Sequence, residues 1–243
     1  MRFDIITIFP KAFDSYLSES IIKRAREKKL VDIRIHNLRD FTTDKHQKVD
    51  GRPYGGGPGM VFMVEPIYRA LKALKAAPPR TTKSKRETRV VMLAPEGKQL
   101  TQREAERLSK YKRIVLICGR YEGFDSRVDT LVDEKISIGP YVLAGGELPA
   151  MVLLETVARN IPGVVGHPEA LKEETFSKNL EYVEYPQYTR PEVFRLGSKK
   201  LRVPKVLKSG DHAAIRAWRS KWTRRSCPVT TTRNGRLGGR WMR

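Results

Sequence analysis

Three segments of the chain follow an apolar run with a glycine-bearing loop: Leu93-Ala-Pro-Glu-Gly97, Cys118-Gly-Arg-Tyr-Glu-Gly123 and Ile136-Ser-Ile-Gly-Pro-Tyr-Val-Leu-Ala-Gly-Gly146. A backbone without a β-carbon lets a ligand approach closely, and a turn at a strand end leaves N–H and C=O groups free of the ladder. Three such loops can surround a nucleoside with donors and acceptors. A fourth segment, Arg52-Pro-Tyr-Gly-Gly-Gly-Pro-Gly-Met60, spends four glycines and two prolines in nine residues. It is neither an ordinary helix nor a central strand, and reads as a shaped loop.

Other chemistries lack their residues. No Gly-x-Gly-x-x-Gly turn marks a dinucleotide site and no Gly-Lys-Ser/Thr closes a phosphate loop, so hydride transfer and ATP hydrolysis have little support. Cys118 and Cys227 stand in unlike contexts, which argues for a reducing interior and against a disulfide framework or a zinc cluster. The histidines at 36, 46, 167 and 212 are scattered and read as structural or RNA-contacting rather than metal-ligating. Lys and Arg number 48 against 27 Asp and Glu, a net charge of +21. That balance favours a polyanionic partner, most simply RNA or DNA, with a solubilising surface as the plainer reading. The first residues have an acid inside their apolar run and no cleavage signal, and no eighteen-residue apolar stretch occurs, so a cytoplasmic location is expected.

The elements that must position these loops alternate. Residues 3–9 read as a buried strand, 14–29 as a helix with Leu17, Ile21, Ile22 and Ala25 on one face, and 31–35 as a second strand. Residues 65–76 predict a helix with Pro66 in its first turn. Residues 77–89, without apolar periodicity, predict a mobile connection. Strands at 90–93 and 114–117 flank a helix at 102–110, and a helix at 147–159 opens with Glu147, whose carboxylate suits the dipole there. The succession is α/β, and in open parallel sheets ligands gather beyond the carboxyl ends of the strands.

The texture changes near residue 164. Residues 164–175 read as a linker after a domain spanning 1–163. Residues 176–225, rich in tyrosine, proline and basic residues, read as a small second domain with a helix at 211–222 capped by Asp211. Its tyrosines suit either RNA stacking or packing. Residues 226–243 hold no acid and no amphipathic period and predict a basic, unstructured tail.

Several blocks together resemble the bacterial tRNA (guanine-N1)-methyltransferase family of the SPOUT class. They are Arg39-Asp-Phe-Thr-Thr-Asp-Lys-His46, the 52–60 loop, Cys118-Gly-Arg-Tyr-Glu-Gly-Phe-Asp125, Ser137-Ile-Gly-Pro-Tyr-Val-Leu-Ala-Gly-Gly-Glu-Leu-Pro-Ala150, Ile161-Pro-Gly-Val-Val-Gly166 and Tyr188-Thr-Arg-Pro-Glu192, in family order over residues 1 to about 222. The resemblance implies a deep trefoil knot around a parallel sheet, a small, mainly helical C-terminal domain, and a homodimer whose active site is shared between subunits. It implies S-adenosyl-L-methionine as methyl donor, tRNA as partner, and methylation at N1 of guanosine 37, just 3′ of the anticodon.

Carried onto this sequence, the cofactor walls are Leu93, Ala94, Pro95 and Gly97; Gly119, Arg120, Tyr121, Glu122 and Gly123; and Ser137, Ile138, Gly139, Tyr141, Val142, Leu143, Gly145 and Gly146. The substrate side comprises Asp50, Pro53, Gly55, Gly56, Gly57, Pro58, Gly59, Tyr188, Arg190 and His212. Arg159 matches the family's active-site arginine, and Glu174 stands where the family has its aspartate base, one methylene longer. The family also shows magnesium dependence, but residue spacing defines no metal site here. The helical continuation expected beyond residue 219 is missing. Two other readings stay open: a catalytically weak RNA-binding protein that keeps the fold, and a knotted methyltransferase acting on another RNA base.

Overall fold

The computed structural model describes residues 1–167, 170–180 and 182–222. The chain divides into two units, Met1–Gly166 and His167–Arg243. The basic tail at 226–243 lies outside the described residues.

The first unit is built on five parallel strands: β1 (Arg2–Thr7), β2 (Asp32–Asn37), β5 (Thr88–Gln99), β6 (Arg113–Cys118) and β7 (Glu134–Ser137), in the order β2-β1-β6-β5-β7. Between β2 and β5, two residues each from β3 (Asp50–Gly51) and β4 (Val61–Phe62) pair antiparallel across the 52–60 loop. The central strands bury both faces, so their side chains alternate between two cores. Phe3, Ile5, Val91, Leu93, Ile114 and Leu116 pack with α2 (Ser20–Glu27), α5 (Gln102–Leu108) and α6 (Glu147–Ala158). Ile6, Val90, Met92, Val115 and Ile117 pack with Ile67, Ala70 and Leu71 of α3 (Val64–Ala73). Each such fully buried Ile, Leu or Phe contributes about 1.5–3 kcal/mol.

Two expectations are corrected. The helix read over 14–29 is two pieces, α1 (Asp14–Leu17) and α2, parted where Ser20 takes φ +52°; apolar spacing does not register one left-handed residue. The connection at 77–89 is not structureless. It contains α4 (Thr82–Glu87), whose Thr81 hydroxyl accepts a hydrogen bond from the Ser84 amide, and the first residues of β5. This helix has no buried face, which is why apolar periodicity missed it.

Strand β5 is irregular where the first glycine loop begins. Its ladder with β7 runs through Leu93 opposite Ile136, leaves over residues 94–97, and resumes with Lys98 opposite the same Ile136. Gly97 permits the crossing: a β-carbon there would stand 2.6 Å from the Ile136 nitrogen and 2.7 Å from the Lys135 carbonyl carbon.

In the second unit, α7 (Ala170–Glu173) is followed by a hairpin of β8 (Val193–Leu196) and β9 (Lys199–Arg202), turning at Gly197 with φ +58°. Helix α8 (His212–Trp222) ends the described chain. Asp211 caps it as expected, its Oδ1 accepting from the Ala213 and Ala214 amides at 2.9 and 3.0 Å. The hairpin was not anticipated, and a mainly helical reading of this unit omits it. Seven of its eight strand residues are exposed, so no period-2 burial pattern reached the sequence. Among the described residues no helix is long and apolar enough to cross a membrane.

Candidate functional site

At the carboxyl ends of β5, β6 and β7 the three glycine loops close on a cleft of about 360 Å³. The loops after β6 and β7 are fastened to each other. The Gly146 amide donates to the Gly119 carbonyl at 2.8 Å, and Arg120 and Gly145 form an isolated antiparallel bridge. The approach needs glycine: a β-carbon on Gly146 would lie 2.7 Å from the Cys118 α-carbon.

Beneath this junction lies a charged side chain that the strand pattern could not place. Glu147 is buried at 3% exposure, accepts from the Thr7 hydroxyl at 2.7 Å and from Arg120 Nε at 3.1 Å. Arg120 in turn lies over the Phe9 ring, 4.4 Å from its centroid. Glu147 therefore does more than favour the dipole of α6: it ties β1, the loop after β6 and the loop after β7 into one frame. Burial, and then the Glu147 charge, pushes the Cys118 thiol up, so this cysteine is an inert packing residue at neutral pH.

The cleft gathers Leu93, Ala94, Pro95, Gly119, Arg120, Tyr121, Glu122, Gly123, Ser137, Ile138, Gly139, Tyr141, Val142, Leu143, Gly145 and Gly146. Gly97 does not line it and serves the crossing over β7 instead. Glu96, inside the first loop, lines the cleft as well, and sequence reasoning missed Asp129 and Lys135, which also line it. Lys135 pairs with Asp129 at 3.0 Å and Glu96 at 3.2 Å. No motif announced them, because their meeting depends on β7 lying beside β5.

A second, wider cavity of about 1120 Å³ adjoins the first, and Phe124 and Ser126 line both. Asp50 and Pro53 line it; Gly55, Gly56, Gly57, Pro58 and Gly59 do not. The far end of their loop docks on the 119–124 loop, with the Glu122 amide donating to Met60 O at 3.1 Å and the Phe62 amide to Gly123 O at 2.9 Å. On the rim, the Arg127 guanidinium and amide hold the Asp125 carboxyl down to about 2.

The expected catalytic pair falls in different units. Arg159 is the half-buried C-cap of α6 in the first unit. Glu174 is half-buried in the second, where its carbonyl accepts from the Ser177 amide. In that unit Tyr188 packs edge-on against Trp218, Tyr185 lies under Arg219 and donates to Glu173, Arg190 is exposed, and His212 opens α8. Tyr185 is thus engaged within the unit, while Tyr188 keeps 47% of its surface exposed beside Trp218. Among the described residues no group of three or more His, Cys, Asp or Glu side chains gathers as a metal site.

Fold and site define an α/β domain whose ligand cleft opens at the carboxyl ends of a parallel sheet and is walled by backbone rather than by a charged nucleophile. Residues 1–234 match the family described as tRNA (Guanine-1)-methyltransferase TrmD, and the chain belongs to that family. Its relatives include the tRNA (guanine-N(1)-)-methyltransferases of Caldanaerobacter subterraneus subsp. tengcongensis, 50% identical over 90% of this chain and 85% of the relative, and of Dictyoglomus turgidum, 48% identical over 91% and 84%. That of Geobacter sulfurreducens is 48% identical over 90% and 84%.

Proposed function

We propose that this chain transfers a methyl group from S-adenosyl-L-methionine to N1 of the guanine 3′ of the anticodon in tRNA. The observation that carries the reading is the closure of three glycine loops, from three separate strands, on one cleft. The residues fit the donor. The volume falls within the range of small-molecule sites, the walls offer backbone amides and carbonyls beside Leu93, Tyr141 and Leu143, and the lining carboxylates Glu96, Glu122 and Asp129 outnumber the lining cations Arg120 and Lys135 by one charge. Bound there, the donor supplies a methyl group made electrophilic by its sulfonium.

The protein's part is to orient and to manage a proton. Guanine N1 is protonated at neutral pH and is a poor nucleophile until that proton leaves. A carboxylate in hydrogen-bond reach accepts it, and a guanidinium near O6 stabilises the charge that develops. Glu174 is assigned the first role and Arg159 the second. Arg159 caps the far end of α6 and does not line the cleft of its own chain, and Glu174 belongs to the other unit, so the reading needs both delivered to the target from outside that cleft, as an active site shared across a homodimer would do. We favour the dimer, for which the exposed apolar residues Leu148 and Val152 of α6 offer a surface.

The finer architecture follows the same reading. The reading includes a deep trefoil knot, with the five-strand parallel sheet as the frame it would surround. Residues 1–163 form the knotted domain, 164–175 the linker and 176–225 the tRNA-binding domain, with Tyr188, Arg190 and His212 on its RNA side. Location is cytoplasmic, and magnesium, which the family resemblance implies, would help hold the charge at O6.

Incubation with unmodified tRNA and methyl-labelled donor, followed by nucleoside mass spectrometry, tests the reading. The label is expected on N1 of that guanosine. A folded protein that binds donor and tRNA without turnover, unchanged by Glu174→Asp, overturns the assignment of base and activity. Methyl on a different base overturns the specificity.

A further inference from the structure

The end of the sheet away from the cleft carries its own concentration of charge. Backbone contacts stitch that end together: the Met1 ammonium donates to Leu30 O, the Arg2 amide to Lys112 O and the Lys112 amide to Glu87 O, at 2.8–3.0 Å. Arg113 reaches Leu74 O at 2.7 Å and Arg80 reaches Thr88 O at 3.2 Å. The ends of α2, α3 and α5 and the whole of α4 therefore share one pole. They present Lys29, Lys75, Lys83, Lys85, Arg86 and Lys110, all exposed.

The carboxylates of this pole are otherwise engaged. Asp4 is held by Arg2, His36 and Arg113, Glu87 by Lys112, Asp133 by Arg80, and Glu134 by Arg89 and Arg107. Among the described residues none of the six cations makes an ion pair, and exposed Glu27 opposes them with one charge. Helix dipoles account for part of the arrangement. Three C-termini, each worth about half a negative charge, offset roughly one and a half of the six. Lys83 sits in the first turn of α4, where a cation opposes the dipole. Lys29 and Lys75 hold left-handed backbone, φ +56° and +53°, at positions that favour glycine. A positive surplus remains that the fold itself does not use.

We propose that this pole is a second RNA surface, which holds phosphates of the substrate tRNA remote from the target base. An irregular array of lysines, with no aromatic platform among the six, suits phosphate contacts that position without reading sequence. The inference rests on tRNA being the substrate. The test compares wild type with Lys83→Gln/Lys85→Gln/Arg86→Gln, titrating full-length tRNA and an isolated anticodon stem-loop across 50–200 mM salt.

With the triple variant, the Kd for full-length tRNA is expected to rise about tenfold, and the slope of log K against log salt to flatten by about 2–3, at roughly 0.9 per lost phosphate contact. The stem-loop Kd and the donor Kd stay as in wild type. Unchanged tRNA affinity and slope in a protein that methylates tRNA overturns the inference, as does an equal loss for tRNA and stem-loop. So does retention of tRNA binding with loss of binding to vesicles of anionic lipid. A wild-type protein that methylates no tRNA fails the earlier reading instead.

Discussion

The two ends of the same parallel strands are finished in opposite ways. At the amino ends the chain is closed by side chains gathered on one buried carboxylate, Asp4, with the guanidinium groups of Arg2 and Arg113 and the His36 ring at 2.6–2.7 Å. At the carboxyl ends it is closed by backbone lying on backbone, with glycines where loops cross. The first device stabilises and leaves a solvated surface. The second forms a rigid concave wall and leaves polar main-chain atoms facing a ligand. Stability and, on the proposed function, donor binding are thereby assigned to different poles, and substitutions should separate them.

The largest effect is expected at Asp4. Burial opposes its charge, but hydrogen bonds from His36, Arg2 and Arg113 outweigh it and hold the carboxyl well below the usual range. Asp4→Asn leaves two guanidinium groups without their anion and should cost about 3–5 kcal/mol, read by urea unfolding at pH 7. A depressed carboxylate stabilises above its unfolded pKa of about 4 and loses that contribution as pH falls through the folded value. The gap between wild type and variant should therefore narrow below about pH 4. Donor affinity of the folded variant should match wild type; a matching loss of affinity would break the separation of the poles.

Glu147→Gln comes next and sits on the boundary. The amide keeps a partner for the Thr7 hydroxyl but removes the anion beside Arg120, a loss of about 1.5–3 kcal/mol for a charged hydrogen bond. Because the same residue fastens the loops of the cleft, melting temperature and donor affinity should fall together. A fall in one alone would show that the frame is not shared.

These two carboxylates also mark how far the sequence could be read. Strand runs, the α5 and α6 helices and the three loops were legible because apolar runs and glycines are local signals. Glu147 was legible only as a helix-start acid, since its partner Thr7 lies 140 residues away. Helix α4 and the β8–β9 hairpin escaped for the opposite reason: each is almost wholly exposed, and without a buried face neither leaves a period. The catalytic assignments came from likeness to a family, because no spacing joins Arg159 to Glu174.

Gly146→Ala probes the backbone-on-backbone pole directly. The new methyl meets the Cys118 α-carbon at 2.7 Å and the Gly119 nitrogen at 2.9 Å, and neither is the far end of a flexible chain. Overpacking of this kind costs about 1–3 kcal/mol. The loop must move, so donor Kd should rise more than tenfold in calorimetric titration while the protein remains folded at 25 °C. Wild-type affinity would mean that the junction of the two loops does not shape the site.

The smallest effect separates two kinds of glycine. Gly56 has φ +79°, and a β-carbon added there would find nothing within 4 Å. Gly56→Ala therefore meets no neighbour and costs only left-handed backbone, about 1 kcal/mol. An exposed loop can discharge that strain by shifting, which leaves stability and donor affinity close to wild type. If the loop's shape is what receives the target nucleotide, the KM for tRNA should rise a few-fold with kcat for bound substrate retained. A fall in donor affinity as large as that of Gly146→Ala would show instead that the open loop and the crowded cleft act as one structure.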